Sequence, residues 1–245
     1  MQAPVGSSEV ELIHAIDAAL EPRRPTPGFV VRPSESVKPV VLPPWYIDRC
    51  RQTYLSVSFE DTTRVIGVTS AQHGEGKTSV AIGMATAIAA DTREPTLLLE
   101  CDLERPAFCR VLGLSTEGGL AEWLAGHDSL RVVRMPYLPH MVVLPAGAPH
   151  RDPARLLYRM SESNTIADLK MRFRNIVLDL PPVLTTPYSA LAARLPDRLL
   201  VVARYGVTPT QDLEQVVFLL GRERVSGVVL NATDYRTPSW LRRLL

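Results

Sequence analysis

Net charge, cysteine and long apolar runs are all scarce in this 245-residue chain, and each scarcity removes a class of function. Lys and Arg number 27 against 26 Asp and Glu, a formal net charge of +1. That balance gives no electrostatic case for nucleic acid as a partner. The three cysteines, Cys50, Cys101 and Cys109, lack metal-ligand spacing, and an odd number argues against a disulfide framework. They read as small apolar residues of a reducing, cytoplasmic protein. The N-terminus lacks a basic segment followed by an apolar run, so no secretory leader is expected. No stretch approaches the roughly 18 consecutive apolar residues of a spanning helix. The longest apolar segment, Val80 to Ala90, is interrupted by Gly83 and Thr86 and reads as a buried helix. Any membrane association is therefore expected through a partner or a surface contact.

What the chain does contain falls into two parts, 1–44 and 45–245. Pro22, Pro25, Pro27, Pro33, Pro39, Pro43 and Pro44 predict an extended linker over 21–44. Ahead of it, Ser8 and Glu11 have capping-box spacing, and Val10, Ile13, Ile16 and Leu20 recur on one helical face. A short helix there would either dock on its own domain or tether another protein. From 45 onward, a helix is expected over Trp45–Ser56, and short apolar strands then alternate with helical segments. The strands are Arg64–Thr69, Thr96–Glu100, Met141–Leu144, Asn175–Leu178, Arg198–Val202 and Gly227–Leu230; helices are expected from Lys77 and over 153–172 and 209–222. This alternation predicts an α/β fold, a mostly parallel sheet with helices on both faces. Ligands of such sheets bind at the carboxyl ends of the strands.

One loop at such an end carries chemistry. Ala71-Gln72-His73-Gly74-Glu75-Gly76-Lys77-Thr78 has Walker A spacing between a strand and a helix. Glycines let backbone N–H groups turn towards phosphate oxygens, and the helix presents its positive end to them. Gly74, Glu75, Gly76, Lys77, Thr78 and Ser79 are therefore the expected nucleotide-binding residues. Lys77 would reach the β- and γ-phosphates and the Thr78 hydroxyl would ligate Mg2+. Asp179 ends the apolar run Ile176-Val177-Leu178, ahead of Pro181-Pro182, as a Walker B carboxylate does. Glu100 and Asp102 close the second strand. Alternate positions of an extended chain share a side, so both are expected to complete the metal shell or take a proton from an attacking hydroxyl. Asn231 ends the last strand, where its amide could read a base edge. Asn231-Ala232-Thr233-Asp234 lacks the lysine of a guanine-reading motif, which favours ATP.

Together these residues resemble the bacterial tyrosine kinases of capsule and exopolysaccharide synthesis, P-loop proteins of the MinD/ParA-like superfamily. The resemblance spans about residues 45–232 and rests on five stretches. These are Thr69–Lys77, Glu100–Pro106, Pro145-Ala146-Gly147 with Pro153 and Leu156-Leu157, Val177–Pro182, and Gly227–Asn231. It implies ATP- and Mg2+-dependent tyrosine autophosphorylation with Lys77, Glu100, Asp102 and Asp179 as catalytic residues and Thr78, Asp102 and Asp179 at the metal. It also implies control of polysaccharide chain length or export. The implied partner is a membrane chain-length-determinant (co-polymerase) protein on a separate chain, which would hold this one at the inner face of the plasma membrane; a homo-oligomer is compatible with it.

Three departures stand against phosphotransfer. The tail from Asn231 holds one tyrosine, Tyr235, as acceptor where the family has a cluster. The family's Asp-x-Asp-x-Arg has Glu100 at its first acid and Glu104 at its arginine. A ring-forming Glu-x-x-Arg-x-x-Arg aligns with Tyr46, Arg49 and Gln52. A catalytically impaired, ATP-binding regulator of the same machinery is thus the alternative. Partitioning and division-site ATPases are disfavoured, because Gln72 stands where they carry a lysine.

Overall fold

A computed structural model describes residues 42–57, 65–126, 130–135 and 138–232. The expected helix Ser8–Leu20, nearly all of the proline-rich linker and Tyr235 lie outside the described residues. The described residues form seven strands, β1 (Val65–Ser70), β2 (Thr96–Glu100), β3 (Val133–Met135), β4 (Leu138–Leu144), β5 (Asn175–Asp179), β6 (Arg198–Arg204) and β7 (Val225–Asn231). The helices are α1 (Pro44–Val57), α2 (Lys77–Thr92), α3 (Phe108–Leu112), α4 (Leu120–Ala125), α5 (Pro153–Glu162), α6 (Thr165–Arg172), α7 (Ser189–Ala192) and α8 (Thr210–Leu220).

The strands form one sheet in the order β3-β4-β2-β5-β1-β6-β7. All neighbours are parallel except β3 and β4, which pair antiparallel at one edge. β1, β2 and β5 are covered on both faces, which is why they read as unbroken apolar runs. Within each strand successive side chains still part company. Leu97, Leu99, Ile176, Leu178, Leu199 and Val201 enter the core beneath α4, α5, α6 and α8. Leu98, Val177, Leu200 and Val202 enter the other core, beneath α1 and α2. Each such buried side chain contributes about 1.5–3 kcal/mol relative to exposure.

Helix α2 is buried on almost every side, because the sheet lies beneath it and α1 above. Gly83 permits that second contact: a Cβ there would lie 2.5 Å from the Cys50 Sγ. The single helix expected over 153–172 is two. Asp152 caps α5, accepting the Arg155 N–H at 3.2 Å, with Pro153 in its first turn. Ser163 then leaves helical geometry (φ −90°, ψ 166°) before α6 begins at Thr165. Strand β3 had no signature in the sequence; three residues on a sheet edge are too few to show a period.

Candidate functional site

The parallel topology brings the carboxyl ends of β1, β2 and β5 side by side, and with them the residues that follow each strand. Hydrogen bonds stitch these ends together. The Thr69 hydroxyl donates to the Pro181 carbonyl at 2.7 Å, and the Val183 and Leu184 amides donate to the carbonyls of Ser70 and Ala71. The Cys101 amide donates to the Asp179 carbonyl at 2.8 Å.

Between β1 and α2 the phosphate loop depends on two left-handed glycines, Gly74 at φ 82° and Gly76 at φ 95°. Gly76 also caps α2, whose first turn holds no acid to satisfy its free N–H groups. That combination is an anion-binding cradle. Lys77, the first residue of α2, points back across the site. Its Nζ lies 3.0 Å from Asp102 Oδ2 and 3.5 Å from Asp179 Oδ1. The Thr78 hydroxyl donates to Asp179 Oδ2 at 2.7 Å. Lys77, Asp102 and Asp179 are all buried, with Asp179 at 0% exposure. Burial lowers the Lys77 pKa, but Asp179 and then Asp102 outweigh it and hold the ammonium above the ordinary lysine range. Burial pushes Asp179 above the usual carboxylate range, against the pull of Lys77 and the Thr78 hydroxyl.

The donor set fits a magnesium nucleotide. Mg2+ takes hard oxygen ligands and is usually held by one or two carboxylates with phosphates and waters, rather than by a protein cage. Among the described residues no group of three or more His, Cys, Asp or Glu side chains forms such a cage. The Thr78 hydroxyl beside Asp179, with one cation facing two buried carboxylates, leaves excess negative charge where a divalent ion would sit. Ser79 follows in the first turn of α2, half-buried.

Cys101 and Leu103 follow Leu97 and Leu99 into the same core, so Glu100 and Asp102 share the opposite side, as expected, but they meet different partners. Asp102 turns to Lys77 and also accepts the Arg105 N–H at 3.1 Å. Glu100, 0% exposed, accepts the amides of Ala107 and Phe108 on one oxygen and that of Ala146 on the other, the last at 2.9 Å. Its carboxylate is a structural clasp joining the entry of α3 to the end of β4. Burial, then the charge of Asp179, pushes its pKa up to about 7 against the pull of those amides.

Asn231, at the end of β7, lies against the phosphate loop. Its Nδ2 donates to the Glu75 carbonyl at 3.0 Å and packs on Gly76, where a Cβ would lie 1.9 Å from it. It braces the phosphate loop through one of its two amide hydrogens. Glu104, the reversed charge of the acidic motif, accepts the Tyr188 hydroxyl at 2.9 Å. Burial and then that bond keep Tyr188 protonated, with its pKa above the ordinary phenol value. Sequence reasoning missed Thr208 and Asp212. The first hydroxyl bonds Glu75, and Asp212 accepts from the Gln72 side chain at 2.6 Å. Both lie well over 100 residues from the loop, and no local spacing announces them.

No family model matches the chain. It is 30% identical over 159 residues to the tyrosine-protein kinase ptk of Acinetobacter johnsonii, covering 64% of this chain and 22% of that protein. It is 30% identical over 178 residues to the succinoglycan biosynthesis transport protein ExoP of Rhizobium meliloti (strain 1021), covering 70% and 22%. The chain thus spans less than a quarter of the length of these curated relatives. The crystal structure of the VpsO kinase domain superposes with a TM-score of 0.67 at 30% identity, over 78% of this chain and 97% of that one. The septum site-determining protein MinD of Pyrococcus horikoshii OT3 shares the fold, with a TM-score of 0.57 at 22% identity over 69% of this chain and 70% of that one. With a near-complete match to a kinase domain and the phosphate loop, Asp102 and Asp179 gathered at the carboxyl ends of adjacent strands, the chain belongs to the bacterial tyrosine kinase family, on the P-loop fold it shares with MinD-type ATPases.

Proposed function

We propose that this chain binds ATP with Mg2+ and transfers the γ-phosphoryl group to tyrosine, in control of exopolysaccharide chain length or export. The observation that carries the reading is Lys77 at the head of α2, ion-paired to both Asp102 and Asp179. Bound Mg2+ would supply neutralisation of phosphate charge, held by Thr78 and Asp179 with Asp102 close by. The amides of 74–78 orient the phosphates, and Lys77 stabilises the charge that develops on them. Asp102 is the carboxylate available to take the proton of an attacking tyrosine hydroxyl. Glu100 is spent on backbone amides and is not proposed for either role.

The same reading supplies a setting. A membrane chain-length-determinant protein is the proposed partner, because the relative ExoP is a biosynthesis transport protein for a polysaccharide. Among the described residues no helix is long and apolar enough to cross a membrane. The proposed location is the inner face of the plasma membrane, through that partner. A second reading, an ATP-binding regulator without phosphotransfer, is favoured by Glu104, which puts a carboxylate in the acidic motif where the family has an arginine.

Purified chain incubated with γ-labelled ATP and Mg2+, beside Lys77→Ala, tests both. Label on the wild type and none on the variant supports the kinase. ADP binding with neither label nor turnover supports the regulator. Equal nucleotide affinity of wild type and Lys77→Ala in calorimetry refutes both. Tyr235→Phe identifies the acceptor: undiminished labelling removes Tyr235 from that role.

A further inference from the structure

The phosphate loop carries an acid of its own, and a carboxylate beside bound phosphate is unfavourable through like charge unless it faces elsewhere. Glu75 is only 5% exposed. Its Oε2 accepts the Gln72 N–H at 2.9 Å, across the turn of the loop. Its Oε1 accepts the hydroxyl of Thr208, which lies between β6 and α8. The Thr208 oxygen accepts in turn the Arg204 N–H at 2.8 Å, so the hydroxyl hydrogen is directed at Glu75. Two further bonds run the same way. The Gln72 amide donates to Asp212 in the first turn of α8 at 2.6 Å, and Asn231 at the end of β7 donates to the Glu75 carbonyl at 3.0 Å. The loop is therefore pinned from outside the nucleotide cradle, with Glu75 taking part in two of the three links.

We propose that Glu75 is a positioning residue that shapes the phosphate loop through Gln72 and couples that shape to the 204–212 segment through Thr208. The proposal rests on the reading of this loop as a nucleotide site. Both of its oxygens act as acceptors, a demand that a carboxylate meets and an amide meets only in half. Coupling of this kind is reciprocal. Phosphate that orders the loop orders the segment, and a contact on the segment alters affinity for phosphate. The segment presents Tyr205 at 61% and Val207 at 63% exposure on the far side of the sheet from β3 and β4, so nucleotide state is reported at that edge.

Calorimetry with Mg-ADP on the full chain, with hydrogen exchange of 204–212 with and without Mg-ADP, tests this in wild type, Glu75→Ala, Thr208→Val and the double variant. Glu75→Ala, which removes two hydrogen bonds to the carboxylate, weakens Mg-ADP about tenfold, and Thr208→Val, which removes one of them, about threefold. The double variant matches Glu75→Ala, since the valine removes a bond already gone. Mg-ADP slows exchange over 204–212 in wild type and fails to do so in Glu75→Ala. A merely structural role would lower the melting temperature and leave both affinity and the exchange response intact; that result overturns the proposal. If Glu75→Ala does not fold, Thr208→Val carries the test, and its unchanged affinity and exchange response overturn the proposal. A wild type that does not bind Mg-ADP overturns the nucleotide reading itself, and this inference falls with it.

Discussion

Replacing Glu100 by glutamine separates a structural clasp from a catalytic acid. The side chain is fully buried and accepts three backbone amides, from Ala107, Phe108 and Ala146. Glutamine keeps the shape and one acceptor but sets an NH2 against amide donors. One or two buried N–H groups are then unsatisfied, at about 1–3 kcal/mol each. The pH dependence is more diagnostic. Glu100 rises from the ordinary 4.5 to about 7 in the folded protein. The folded state therefore holds this proton more tightly than the unfolded chain does. Its contribution to stability is complete below pH 4.5 and is lost as the pH rises through about 7. At about 1.4 kcal/mol per pH unit, the loss is about 3 kcal/mol. The glutamine variant has no such proton, and other titrating groups cancel in the comparison. Urea denaturation of both proteins between pH 4.5 and 8 should show the wild type's advantage shrinking by about that amount as pH rises. A constant difference across the range refutes the reasoning. Mg-ADP affinity should stay unchanged in the folded variant; a large loss there would return Glu100 to the metal shell.

Two further substitutions probe the site and its support. Asp179→Ala should leave some nucleotide binding but make it insensitive to magnesium, read by ADP titrations with and without the ion; a preserved magnesium effect would remove Asp179 from the metal site. Gly67→Ala places a Cβ 2.7 Å from both Leu180 Cδ1 and Pro196 Cγ, and should cost about 1–3 kcal/mol by overpacking β1. Chemical denaturation measures it, and an unchanged midpoint would show that the strand can shift to make room.

The cradle was legible because its requirements are local. Two left-handed positions ask for Gly74 and Gly76, and a strand before and a helix after are visible in neighbouring residues. The same holds for β2, whose bounds Thr96–Glu100 coincide with the apolar run, and for the alternation that predicts a parallel sheet. Asp179 was readable as the end of its run. Its partner Thr78 lies 101 residues away, and the bond between them exists because β1 and β5 are neighbours in the sheet.

The task of a side chain at a strand end was not legible, since the two-residue period gives its side and not its partner. Glu100 and Asp102 share a side, as that period requires, yet Asp102 meets Lys77 while Glu100 meets three amides. Likewise Asn231 braces the loop, and Glu104, at the family's arginine position, bonds Tyr188. Each outcome was set by which hydrogen-bond partner the fold brought within about 3 Å, since a buried polar group must be satisfied by whatever lies nearest. Chain-local chemistry thus specified a phosphate loop on an α/β sheet. Packing between distant segments assigned each acid its task, because a carboxylate's role depends on the donors it meets, and those donors come from elsewhere in the chain.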